Sequence, residues 1–271
     1  MSPSTRDVTA AITLEITGPA EIILSVAVGR SAEPQTEALT ITVDGTPVES
    51  ISEVEMADGT RLHHLTNVPS GTLRLDYSAS VPQTTTDGAP VSDIERIVYT
   101  RPSRYCDSDR LAAVANTHFG ELTGRELVHT IGSWVHNQVA YVPGSTDVTD
   151  GALEAYLSRQ GVCRDMAQLV VTFCRARNIP ARLVSVYAPG LDPMDFHAVA
   201  EVEIDGVWEI IDATRLAPRA SFVRIATGRD AADTAFMTTL AGRVQLDRME
   251  VTATVSPELP AEDPDATIHL A

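Results

Sequence analysis

The sequence predicts an α+β protein: an N-terminal antiparallel β-sandwich followed by a domain that joins a buried helix to an antiparallel hairpin. Three observations predict it. The first hundred residues alternate apolar and polar with frequent turn signals, the pattern of short strands in a sandwich. Beyond them the apolar spacing changes to a helical period. An Asp-Gly pair between two β-rich runs then marks a hairpin downstream of the most apolar helix.

Within the strand region "AEIILSVAV" (20–28) is one β-rich segment. In "ITVDGTPVES" (41–50), Asp44-Gly45 separates two β-rich runs, a two-residue hairpin signal. In "GTLRLDYSA" (71–79), Leu73, Leu75 and Tyr77 share one face and Thr72, Arg74 and Asp76 the other. His63 and His64 are adjacent on a strand and so point to opposite faces, which argues against a joint role. The polar stretch "SVPQTTTDGAPVSD" (80–93) reads as a loop within this domain. The boundary falls near "TRPSRYCDSD", giving domains at 1–100 and 101–255 and an acidic, proline-rich tail at 256–271 expected to be poorly ordered at its end. In the second domain 110–116 and 123–138 read as helices, the latter with Leu127, Ile131, Trp134, Val135 and Gln138 on one stripe. His129 and His136 share a face there and read as surface or core-edge histidines. A loop, a short helix and another loop lead to the apolar helix, Val162 to about Arg177, which stops before "NIP" because a residue preceding proline resists the α conformation.

Composition bounds the function. With 271 residues, 44% of them apolar, the chain is long enough for two domains with real cores. A net charge of −17 argues against nucleic-acid partners, whose phosphates require a basic footprint. No apolar run is long enough to span a membrane. "MSPSTRDVTAAITLEITG" carries no leader pattern and the cysteine count is odd, so the expectation is a cytoplasmic protein with reduced thiols. CxxC, HExxH, GxGxxG and GxxxxGK[ST] motifs are absent, and no metal or organic cofactor is expected.

The chemistry concentrates in "SRQGVCRDMAQLVVTFCRARNIPARLV" (158–184). Cys163 opens a helix that is apolar nearly all round, where unpaired N–H groups and the helix dipole stabilise a thiolate. Cys174 lies eleven residues on, among apolar side chains, as an ordinary small hydrophobe. The two are about 16 Å apart along the helix and cannot bridge. Cys106 falls in the interdomain loop and is given no role. Position alone leaves Cys163 divided between a nucleophile and another structural cysteine.

A thiol nucleophile needs a base and the base an orienting group. In "DFHAVAEVEIDGVWEIIDATR" (195–215), a two-residue loop at Asp205-Gly206 pairs Ile204 with Val207 and Val199 with Asp212. His197 then lies on the face of Asp212 as its diagonal neighbour. A three-residue loop would put the two on opposite faces and leave His197 a core-edge histidine.

Read together, "GVCRDMAQLVVTFCRARNIPARLV" and "DFHAVAEVEIDGVWEIIDATRLAP" resemble the transglutaminase-like superfamily, in particular its bacterial cysteine-protease branch, across about residues 101–219. The resemblance implies a papain/transglutaminase-like second domain, with a cysteine-bearing core helix packed on an antiparallel sheet that carries the histidine and acid. It implies a catalytic triad of Cys163, His197 and Asp212 in that chain order. Many members carry an aromatic two residues after the histidine, where this chain has Val199. The backbone N–H of Cys163 would be one oxyanion donor, and a side chain near Tyr141 or Gln160 the second. The expected function is thiol-dependent acyl transfer, chiefly hydrolysis of peptide or amide substrates. Transfer to an amine and a non-catalytic interaction scaffold are the alternatives, and a thiol redox role is weak without CxxC spacing.

Overall fold

The first sheet is organised around two strands of twenty residues, β1 (Thr5–Leu24) and β13 (Met237–Ser256), which pair antiparallel from Thr5↔Ser256 to Leu24↔Met237. In the computed structural model, which describes residues 4–83, 86–264 and 266–271, the other edge of β1 is shared. Strand β6 (Gly71–Pro82) pairs with its first part and β5 (Arg61–Val68) with its last. The change of partner falls at Gly18-Pro19, where φ of +80° at Gly18 bends the strand. Strands β2 (Thr36–Val43) and β3 (Thr46–Pro47) extend the β6 side and β4 (Ile51–Glu55) pairs with β5, completing seven strands. Asp44-Gly45 closes the β2–β3 hairpin with positive φ at both residues, as its sequence requires. Leu73, Leu75 and Tyr77 are buried and Arg74 and Asp76 are not. His63 and His64 face opposite ways, His63 into the interior and His64 onto Glu21.

Strand pairing departs from the expected division at residue 255. Strand β13 follows the second domain in sequence but belongs to the first sheet, so the first domain is built from both ends of the chain. Its inward side chains are only partly covered before Val251, and Arg243, Asp247, Arg248 and Glu250 break the apolar alternation that would have announced it.

Between β6 and β13 lies the second unit. Helix α1 (Asp93–Tyr99) is capped by Ser92, whose hydroxyl accepts from Glu95 N–H while the Glu95 carboxylate accepts from Ser92 N–H. It starts at the last residue of the stretch expected to be loop (80–93), whose first three residues instead continue β6 and of which Thr84 and Thr85 lie outside the described residues. Helices α2 (Ser108–Phe119), α3 (Gly124–Gln138) and α4 (Ala152–Ser158) surround α5 (Cys163–Ala176), which is buried along nearly its whole length. Phe119, Trp134, Tyr156 and Phe173 lock these helices together, with the Arg159 guanidinium over the Trp134 and Tyr156 rings. Helix α5 packs on an antiparallel sheet ordered β11 (Val207–Ile211), β10 (Phe196–Ile204), β9 (Ala181–Tyr187), β12 (Val223–Gly228). A short α6 (Ala231–Thr234) follows β12.

The two sheets share a core. Tyr187, Val223, Ile225 and Ala226 pack among the β1, β5 and β6 side chains. The Tyr187 hydroxyl donates to Val26 C=O at 2.8 Å, and Arg6 donates to Phe222 C=O at 2.8 Å. Inside the second sheet Glu201 is fully buried between Arg182, at 2.8 Å, and Arg224, at 2.6 Å. Burial alone would raise its carboxyl, but the two guanidiniums hold it down at about 2.

The tail is packed rather than loose. Arg219, itself buried, binds the Glu262 carboxylate at 2.8 Å and donates to Ile210, Asp263 and Ala266 carbonyls. Ile268 C=O accepts from Ile210 N–H at 2.9 Å, so this segment covers the open edge of β11.

Candidate active site

Cys163 is the first residue of α5, and the turn before it is held from several sides. Strand β7 (Ala140–Tyr141) and β8 (Gln160–Gly161) form a short parallel ladder that brings Tyr141 beside Gly161. Asp165, fully buried in the first helical turn, accepts from Val162 N–H at 2.9 Å and from the Thr146 hydroxyl at 2.6 Å, and pairs with Arg164 at 2.8 Å. A Cβ at Gly161 would stand 2.7 Å from the Asp165 Cβ, so this approach needs glycine. The GVCRD stretch therefore fixes the backbone on both sides of the cysteine. Its thiol is partly exposed, whereas Cys106 and Cys174 are buried. Burial pushes the Cys106 thiol up to about 12 and the Cys174 thiol higher still, which leaves both inert as nucleophiles.

His197 lies near the start of β10, 1% exposed, with its ring edge-on to Phe222 at 5.6 Å between centroids. The hairpin has the two-residue loop: Ile204 pairs with Val207 and Ala200 with Ile211, with φ of 56° at Asp205 and 87° at Gly206. Asp212, one residue past β11, reaches diagonally across, and its Oδ2 is 3.0 Å from His197 Nε2. Its other oxygen accepts from the Thr214 N–H and hydroxyl, both at 2.8 Å. His136 supports this turn from α3 by donating from Nδ1 to Ala213 C=O at 2.9 Å. His129 instead sits 3.3 Å from the buried Glu209.

The electrostatics favour a charged imidazole. Burial would lower the His197 pKa, but the Asp212 charge and hydrogen bond, joined by Cys163, raise it to about 10. The Asp212 carboxyl shows the reciprocal effect: burial pushes it up, and His197 and Thr214 bring it below the ordinary value. His197 Nδ1 is buried without a hydrogen bond of ordinary geometry in this resting arrangement, yet the Cys163 side chain is close enough to act on the ring. Nε2 is committed to Asp212, so Nδ1 is the nitrogen left to serve the thiol.

Of the two oxyanion candidates, Tyr141 is the one whose hydroxyl lies against the Cys163 backbone N–H and thiol. Burial first, then the Cys163 and Asp195 charges, push its pKa up to about 12, so it stays a neutral donor. The structure thus brings Cys163, His197, Asp212 and Tyr141 to one place, and adds Asp165, Thr214 and Phe222 as supports. Among the described residues no group of three or more His, Cys, Asp or Glu side chains is arranged to hold a metal ion. No helix among them is long and apolar enough to cross a membrane.

A family model described as the transglutaminase-like superfamily matches residues 112–213, which contain all three candidate residues. The crystal structure of a "Putative Cysteine Protease" from Cytophaga hutchinsonii superposes with a TM-score of 0.87 at 33% identity, covering 98% of this chain and 96% of that one. "Uncharacterized protein ML0607" of Mycobacterium leprae is 28% identical over 144 residues, 50% of this chain. "Uncharacterized protein Rv2569c" of Mycobacterium tuberculosis is 35% identical over 74 residues. The aligned regions span 52% of the first of these curated relatives and 24% of the second.

Proposed function

Because the chain belongs to the transglutaminase-like superfamily, we propose that it is a cysteine-nucleophile enzyme that hydrolyses peptide or amide bonds. Cys163 is the nucleophile, His197 the general acid and base, and Asp212 the group that orients and charges the imidazole. The observation that carries this reading is the buried His197–Asp212 pair at 3.0 Å beside a partly exposed cysteine at a helix N-terminus.

The steps follow from those positions. The Cys163 sulfur attacks the amide carbonyl, forming a C–S bond as the carbonyl π electrons move onto oxygen. The Cys163 N–H and the Tyr141 hydroxyl receive that oxyanion. Collapse breaks the C–N bond, and the imidazolium of His197 gives its Nδ1 proton to the departing amine. The neutral imidazole then takes a proton from water, which adds to the thioester and returns the free acid and the thiol. Asp212 remains ionised throughout and neutralises the imidazolium whenever it forms. Three free cysteines support a reducing, cytoplasmic setting for this chemistry.

The test is cleavage of a fluorogenic peptide library by the wild type and by Cys163→Ala. Activity in the wild type and none above background in the variant is expected. Undiminished cleavage by Cys163→Ala would remove the reading.

A further inference from the structure

One acidic side chain at the site has no part in the triad. Asp195 immediately precedes β10, two residues before His197, and is solvent-exposed. Its Oδ1 accepts from Phe196 N–H at 2.7 Å. The Phe196 ring behind it is pinned between Tyr187 and Phe236, at 5.5 and 5.7 Å between centroids. The carboxylate is thus held at a fixed point. Two residues before His197 on an extended segment, it lies on the same face as the imidazole and so on the side of the cleft that holds Cys163. Partial burial there raises its pKa, against the Phe196 N–H and the His197 charge. Every other carboxylate around the site is committed: Asp165 to Arg164 and Thr146, Asp212 to His197 and Thr214. Among the described residues no cation lies within ion-pairing distance of Asp195.

Its position relative to the reaction is set by His197. The imidazole delivers its proton to the leaving nitrogen, so the leaving part of the substrate passes over His197. In an extended chain two residues span about 6–7 Å. Asp195 is therefore placed to meet the side chain that follows the scissile bond, not the acyl side.

We propose that Asp195 determines specificity by selecting substrates with a lysine or arginine on the leaving-group side of the scissile bond. This rests on the acyl-transfer reading above. The substrate cation supplies the partner that the carboxylate lacks, and the chain's net charge of −17 favours the approach of such substrates at low salt.

The experiment measures kcat/KM for matched peptides with Lys, Ala or Glu after the scissile bond, at low and high salt. It uses wild type, Asp195→Asn and Asp195→Lys. Asparagine keeps an oxygen for the Phe196 N–H and so preserves the turn. A Lys:Glu preference of about tenfold is expected in the wild type, weaker at high salt, falling to about twofold or less in Asp195→Asn and inverting in Asp195→Lys. An unchanged ratio in Asp195→Asn would overturn the inference. So would an equal loss on all peptides with a displaced pH profile, which would make Asp195 a charge that serves His197. An activated acyl ester with an uncharged leaving group, read by the mass of Cys163, separates the two levels. If Cys163 is acylated but no charge preference exists, only this inference fails. If Cys163 is not acylated, the acyl-transfer reading fails and takes the inference with it.

Discussion

Replacing Asp212 with asparagine removes one charge and keeps the shape, so it isolates the effect that makes His197 cationic. In the folded protein the imidazole holds its proton up to about 10, against 6.5 for the free side chain. Each tenfold in proton affinity is about 1.4 kcal/mol, so folding and the His197 charge are coupled by about 4–5 kcal/mol. The sign is that of a raised histidine: this stability is fully present below pH 6.5 and is lost as pH rises through about 10. In Asp212→Asn burial, the largest influence on the ring, prevails, and the imidazole is neutral at pH 7. A charge-assisted hydrogen bond is worth about 1.5–3 kcal/mol, so iodoacetamide labelling of Cys163 at pH 6–7 should slow about tenfold to a hundredfold. Peptide mass spectrometry gives that rate across pH 5–9. Thermal melts from pH 6 to 10 should fall in the wild type and lose this contribution in the variant. Equal labelling rates at pH 6–7, with parallel melting profiles, would refute the argument that Asp212 charges His197.

Three further outcomes follow from the structure. Tyr141→Phe should lower kcat by about a hundredfold with little change in KM, because an oxyanion donor acts on the transition state, while Cys163 labelling stays near the wild-type rate; a loss confined to KM would reassign Tyr141 to substrate binding. Glu201→Gln strips the counter-charge from two buried arginines and should cost about 3–5 kcal/mol in urea unfolding. Glu201 is held down at about 2, so its contribution is present above 4.5 and disappears as pH falls through about 2, a limb of the acid-unfolding curve that the variant should lack. Arg219→Ala removes the clamp on the C-terminal segment and should cost about 1–3 kcal/mol, visible as faster amide exchange at Ile210 and new proteolytic cuts after residue 257.

Much of the site is legible in the sequence because local chemistry sets it. Asp205-Gly206 adopts positive φ at both residues, which fixes a two-residue loop and with it the face shared by His197 and Asp212. The glycine before Val162-Cys163 and the acid two residues after the cysteine specify one helix start. The choice of Tyr141 over Gln160 is not readable, because it depends on a two-residue ladder between segments twenty positions apart, Tyr141 with Gly161. Thr214 was readable in principle: Asp-Ala-Thr is a turn in which the aspartate accepts from the residue two on. Helix α1 had its signal too, Ser92 with Glu95, masked by the polar loop before it. The packed tail had none. Its acidic, proline-rich composition matches a disordered segment, and Arg219 gives no hint in sequence of the carbonyls it collects.

The pairing of β1 with β13 has a consequence for how the chain is made. Thr5 meets Ser256 and Leu24 meets Met237, so one edge of β1 has no partner until the residues beyond 236 have left the ribosome. Throughout that interval an apolar strand stands with an open edge, the situation in which newly made chains pair wrongly with one another. Most of the unit bearing Cys163 can pack during the wait, since α2 to α5 and the four strands of its sheet lie within residues 108–228, and only the β11 edge still awaits the C-terminal segment. Closure of the first sheet is then a late, long-range event, and slow refolding of the whole chain should be traced to β13 and not to the catalytic unit.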